Sequence, residues 1–226
     1  MHSPFKIFIG YDKDKKECYH VCRFSLLQRT ADVEIIQIGN SILSEDIWYR
    51  KKNNLETTEF SICRFLTPFL SEYKGISIFM DDDFLWRCDI KELLEYYDPS
   101  KAVMVCQHDY VPKYTTKWMN NKQTVYEKKN WSSLMMFNNE HPDCKQLSVK
   151  NVNEQTGLWL HQFKWTDNIG SIPLSYNFLV GEYEKHTNIN AFHFTYGCPI
   201  FDDSKDQDFV EEWLDDYSNY KSNLSE

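Results

Sequence analysis

Ile76-Ser77-Ile78-Phe79-Met80-Asp81-Asp82-Asp83 is the stretch from which the fold is read. A short apolar, β-branched-rich run bounded by Gly75 predicts a strand buried on both faces. The run ends abruptly in three carboxylates, which repel one another and which no strand end requires. A divalent cation removes that penalty, because hard oxygen ligands suit Mg²⁺, Mn²⁺ or Ca²⁺. If strand geometry persists, Asp81 and Asp83 point to one side and Asp82 to the other. The pattern is Asp-x-Asp at the carboxyl end of a central strand, which is where open α/β sheets bind ligands.

Working outward, Phe5–Ile9 is a strand candidate closed by Gly10. A helix from about Lys15 to Arg29 carries Cys18, Val21, Cys22, Ser25 and Leu26 on one face, and Val33–Ile38 is a second strand. Strand–helix–strand order implies a right-handed crossover and a mostly parallel sheet flanked by helices. Thr58–Ser71 reads as a helix ended or bent by Pro68, Asp89–Tyr97 as a short helix, and Ala102–Cys106 as a buried strand. Gln107–Lys129 loses all period; a loop this long is often a functional lid. Trp131–Asn138 predicts a strand, His141–Phe163 a helix broken near Asn151–Asn153, and Ile169–Ile172 and Ala191–Thr195 two short strands. The whole chain, 1–226, reads as one domain with an acidic tail from about residue 202.

A net charge of −9 argues against a nucleic-acid polymer or an anionic membrane surface as partner. Aromatic residues make up 16%, a density that suits thick core packing or a site that stacks on flat ligands. The seven cysteines are scattered, without a Cys-x-x-Cys pair, and read as buried small apolar residues in a reducing compartment. Cys198 has no evident base partner and reads as structural. No apolar targeting segment opens the chain and no run approaches membrane-spanning length, so the expected location is cytoplasmic, in a host cytoplasm if the source is viral. On that reading, the two Asn-x-Ser matches at Asn130 and Asn223 are chance sequons.

Six segments then line up in order: Gly10-Tyr11-Asp12, Glu59–Phe65 with Arg64, Asp81-Asp82-Asp83, Trp131–Asn138, Ile172–Asn177 and His193–Pro199. Together, over about Phe5 to Phe201, they resemble the GT-A glycosyltransferases, the nucleotide-diphospho-sugar transferase fold. The likeness is to the branch with glycogenin and the lipopolysaccharide galactosyltransferases, and Gln107–Tyr110 and Lys129–Ser133 are similar to segments of small bacterial and viral enzymes. Two departures stand out. Cys198-Pro199-Ile200-Phe201 lacks the Lys with which that branch contacts the diphosphate, and Trp131-Ser132-Ser133 stands where it has Asn-Ala-Gly.

The resemblance implies a UDP-sugar donor, a glycan acceptor, Mn²⁺ or Mg²⁺, and retention of anomeric configuration. It implies Asp81, Asp83 and His193 as metal ligands, although a lone His in an apolar strand is usually a core residue. Tyr11 would stack on the base and Asp12 accept a hydrogen bond from it, with Gly10 beside them at the donor; a plain surface turn to which Gly10 gives backbone freedom is the competing reading. Arg64 would face the donor sugar or diphosphate, and Asp82 the ribose or sugar. His108 and Asp109 suit donor-sugar hydroxyls, while Trp131, Ser132 and Gln155 border the donor. Glu154 and Asp167 are rival carboxylates for a catalytic role, unranked by sequence. Two other readings compete: a haloacid-dehalogenase-like phosphatase, whose motif wants Thr or Val where Leu85 stands, and an inactive transferase-like domain that binds nucleotide or glycan without turnover.

Overall fold

In the computed structural model, residues 5–51, 56–113, 116–117, 121–122 and 127–224 are described. In chain order the elements are β1 (Lys6–Gly10), α1 (Lys16–Leu27), β2 (Glu34–Ile38), α2 (Thr67–Leu70), β3 (Ile76–Met80), β4 (Phe84–Trp86) and β5 (Val103–Cys106). There follow β6 (Thr116–Lys117), β7 (Asn121–Lys122), β8 (Leu134–Asn138), α3 (Val149–Glu154), α4 (Gly157–His161), β9 (Ile169–Ile172), β10 (Phe178–Leu179), β11 (Ala191–His193) and α5 (Val210–Asn223).

Six strands form the central sheet in the order β2-β1-β3-β8-β5-β9. β8 is antiparallel to both its neighbours, and the other pairings are parallel. The carboxyl ends of β1, β3, β5 and β9 therefore share one edge, with the start of β8 among them. Alternation divides the strand side chains between two cores. Phe8, Phe79, Val105 and Phe137 face a layer of Phe60, Phe65, Leu160 and Trp165. Ile7, Ile9, Ile78 and Met80 face α1 through Tyr19, Cys22 and Leu26, and continue into Trp86 and Leu93. A second sheet, β10-β11-β4, has its own apolar cluster in which Leu85 and Phe192 meet Val21 of α1 and Trp213 of α5.

Several elements differ from expectation, each for a local reason. The span 58–71 is no long helix: Cys63–Leu66 is a 3-10 turn, and Pro68 sits in the first turn of α2, where a missing N–H costs nothing. The strand expected from Trp131 starts at Leu134, because Asn130 has φ 61° and Trp131–Ser133 form a 3-10 turn. The 141–163 helix is a 3-10 turn (Pro142–Gln146) followed by α3 and α4. Its break falls after Glu154, where Thr156 caps α4; buried Asn153 instead fastens the Tyr49–Arg50 backbone. The acidic tail contains α5, anchored by a fully buried Trp213. Cys18 and Cys198 are disulfide-bonded, which corrects the expectation of reduced cysteines for this pair. In the expected lid, β6 and β7 pair antiparallel, while Trp118 and much of the rest lie outside the described residues.

Candidate active site

Met80 completes β3, and the Asp81 N–H donates to Ser133 O at 3.0 Å, prolonging the ladder to β8 by one rung. The chain then turns into β4. Asp83 O accepts from Phe194 N at 3.0 Å, so Asp83 is held by the second sheet. His193 ends β11, opposite Phe84 of β4 and stacked on its ring. The acidic triplet thus bridges two sheets.

This brings Asp81, Asp83 and His193 together, one ligand atom from each lying within 4.8 Å of the others. His193 Nε2 is 3.2 Å from Asp83 Oδ1 and 4.0 Å from Asp81 Oδ2. On the far side of the ring, Nδ1 lies 2.8 Å from Asn177 Oδ1. Two carboxylates and an imidazole are a donor set suited to Mn²⁺, and the carboxylates alone to Mg²⁺. Burial pushes the Asp81 carboxyl above the usual range, against the pull of Arg64. Crowding buried anions this way is costly unless a cation joins them, so the residues fit a divalent metal.

Two cations flank the triplet. Arg64, 6% exposed, places Nη1 2.7 Å from Asp81 Oδ1 and donates to Ser132 O at 2.9 Å, with its guanidinium over the Phe60 and Phe79 rings. Its described polar partners are Asp81 and the Phe60 and Ser132 carbonyls. Asp82 turns away from the triad and lies 3.6 Å from Lys15 Nζ. Burial lifts Asp82 to about 8 in spite of that lysine.

At the carboxyl end of β1, Tyr11 is half-buried and edge-on to Tyr19, and its N–H donates to Ile38 O. Asp12 caps the following turn through Asp14 N and also accepts from Glu59 N. Gly10 is required there: a Cβ would lie 2.6 Å from the Phe60 ring. At the end of β5, His108 is buried, its Nδ1 2.6 Å from Tyr183 Oη, and its carbonyl accepts from Trp131 Nε1. Burial, with His193 nearby, lowers His108 to about 3. Asp109 is exposed. Ser132 Oγ lies 2.8 Å from His161 Nδ1. Gln155 lends its carbonyl to Arg50 at 2.6 Å.

The rival carboxylates are elsewhere. Asp167 is exposed and precedes β9, so it stands at the amino end of the parallel strands, on the edge opposite the triad. There it borders a cavity of about 360 Å³ with Asp143, Trp159 and Asn168. Glu154 is exposed at the end of α3. Sequence reasoning missed Lys15, hidden in a run of charged residues that looks like a solvated surface, and Ser133 and Asn177. Asn177 closes a segment that carried the resemblance but had no role in it.

A triad at the carboxyl end of a central strand, in a mixed sheet with a small second sheet, is the GT-A architecture. The solved glycosyltransferases similar to it include GlyE of Streptococcus pneumoniae (TM-score 0.64, 12% identity, 98% of this chain and 63% of that one) and the bifunctional WbbM (0.63, 12%, 97% and 50%). The galactosyltransferase LgtC superimposes with a TM-score of 0.57 at 13% identity, over 95% of each chain. This chain therefore spans half of WbbM and under two thirds of GlyE. No family model matches the sequence. Protein CDI of Arabidopsis thaliana is 46% identical over 234 residues, covering 99% of this chain and 90% of that protein, and the chain belongs to the family of Protein CDI.

Proposed function

We propose that the chain is a divalent-metal-dependent glycosyltransferase that moves a sugar from a UDP-sugar to a hydroxyl of a glycan acceptor, with retention of configuration. The observation that carries this reading is the convergence of Asp81, Asp83 and His193 where β3 ends, in a GT-A fold. Asp81, Asp83 and His193 would hold Mn²⁺ or Mg²⁺. When bound, such a cation offsets the charge that develops on a departing diphosphate. Tyr11 and Asp12 sit one strand away, at the end of β1, and receive the base. Lys15, between that loop and the triplet, supplies a positive charge toward the diphosphate in place of the lysine missing after Cys198. Arg64 holds Asp81 in the direction of the cation. His108, Asp109, Trp131, Ser132 and Gln155 are the donor-sugar side of the proposal, with Asp82 assigned to the ribose or sugar.

A retaining transfer asks for positioning and leaving-group stabilisation rather than a dedicated base. The exposure of both Asp167 and Glu154, with Asp167 on the opposite edge of the sheet, supports that choice. LgtC, whose structure holds donor and acceptor sugar analogues, supports the substrate class. No helix of the described residues is long and apolar enough to cross a membrane.

The test is a melting-temperature screen of nucleotide-sugars with and without Mn²⁺, followed by product detection for any donor that shifts. A ligand at 100 times its Kd adds about 2.7 kcal/mol, or roughly 5–10 °C for a chain of this size. No Mn²⁺-dependent shift with any UDP-sugar would overturn the assignment. A shift without product would leave a nucleotide-binding domain that has lost transfer.

A further inference from the structure

An imidazole binds a metal only through a ring nitrogen that carries no proton, and which nitrogen that is depends on the partner of the other. Behind His193 runs a hydrogen-bond chain whose direction follows from its far end. The carbonyl oxygen of Asn130 can only accept. Ser133 Oγ lies 2.7 Å from it, so the single hydroxyl proton of Ser133 is spent there. Ser133 Oγ then has only lone pairs to offer Asn177, 2.8 Å away, and the Asn177 atom facing it must be the amide nitrogen. The planar carboxamide consequently turns its oxygen to His193 Nδ1, at 2.8 Å. An amide oxygen also only accepts, so Nδ1 holds the proton. Nε2 is therefore the ring nitrogen available to a cation, and it faces Asp83 at 3.2 Å and Asp81 at 4.0 Å.

We infer that Asn177 and Ser133 are positioning residues of the metal site, and that a backbone carbonyl three hydrogen bonds from the ring sets the tautomer of His193 before any cation arrives. The inference rests on Asp81, Asp83 and His193 being a metal site. Asn177, Ser133 and His193 are at most 2% exposed, so no bulk water is at hand to reverse a link. The opposite direction would require the Asn130 carbonyl to donate. The chain's origin is itself held: Asn130 has φ 61°, a left-handed conformation that asparagine tolerates, and its side-chain amide donates to Tyr110 Oη at 2.7 Å.

The test uses the full chain and two readouts. Nitrogen-15 shifts of the His193 ring in metal-free protein, assigned by their loss in His193→Gln, report which nitrogen is protonated. Calorimetric titration with Mn²⁺ reports affinity. The expected result is a ring that carries a proton on Nδ1 in the native protein, kept in Asn177→Asp together with Mn²⁺ binding at least as tight. Asn177→Leu should show both tautomers and bind Mn²⁺ 10–100-fold more weakly. Ser133→Ala, which frees Asn177 to flip with little loss of volume, should weaken binding in the same direction and serves if the Leu variant does not fold. A ring in the native protein protonated on Nε2 and bare on Nδ1, or native Mn²⁺ affinity in both Asn177→Leu and Ser133→Ala, would overturn the inference. If the native protein binds no Mn²⁺ at all, the metal reading falls, while the ring shifts still decide the tautomer.

Discussion

The two aspartates of the triad are chemically alike but differently tied, and their substitutions should differ. Asp81 is the partner of a buried Arg64, whereas Asp83 faces His193 Nε2. Removing one partner of a buried ion pair leaves an uncompensated charge, at a cost of about 3–5 kcal/mol. Asp81→Ala should therefore lose Mn²⁺ binding and melt far lower, while Asp83→Asn should lose Mn²⁺ binding with its melting temperature nearly unchanged. Equal melting of the two variants would show that the Arg64 pair contributes little. His161 supports a pH prediction. Burial and the Arg64 charge lower it from 6.5 to about 3, so between those values the unfolded chain binds a proton that the folded chain does not. Stability then falls as pH drops below 6.5, by up to about 2 kcal/mol at pH 5 from this residue alone. His161→Gln, which can still hydrogen-bond Ser132, should flatten the decline of melting temperature between pH 7 and pH 5. A decline as steep as the native one would count against it.

At the level of elements, the strands were legible because their signal is local: β1, β3 and β5 are short, buried apolar runs, and the partly exposed edge strands β2 and β9 are bounded by turn residues. Asp81 and Asp83 do converge with His193 while Asp82 meets Lys15, but β3 ends at Met80, so the turn into β4 and not strand alternation sets these directions. What escaped is what the tertiary structure decides. β4 and β10 have two or three residues each and exist as strands only because β11 pairs with both. α5 carries a sparse apolar face in an acidic sequence, and the burial of Trp213 is what makes it an element. That Asp167 stands at the edge opposite the triad was unreadable because it depends on the direction in which β9 pairs with β5. A further expectation belongs here. Asp81 is bonded through its backbone to the large sheet, and Asp83 and His193 to the small one. A cation joining them links the two sheets, so Mn²⁺ should slow hydrogen exchange of the β4 and β11 amides relative to those of β2, at the far edge. Uniform protection across both sheets, or none, would argue against that linkage.

For the molecule as a whole, the Cys18–Cys198 bond ties α1 to the turn beyond β11 across 180 residues of sequence. In the chain-entropy account a loop of this length restricts the unfolded state by about 5 kcal/mol. Cys18→Ser, or reduction by a thiol, should lower the melting temperature by roughly 10–20 °C; an unchanged melt in reductant would mean that the bond adds no stability. The bond also makes a covalent ring of nearly the whole chain, with both halves of the acidic triplet's surroundings inside it. A protease that nicks the backbone at the exposed Val111 would cut the ring without dividing the molecule. The cleaved protein would run as one band on a gel until a thiol was added, its two fragments kept in register around Asp81, Asp83 and His193 by a linkage far from the cut.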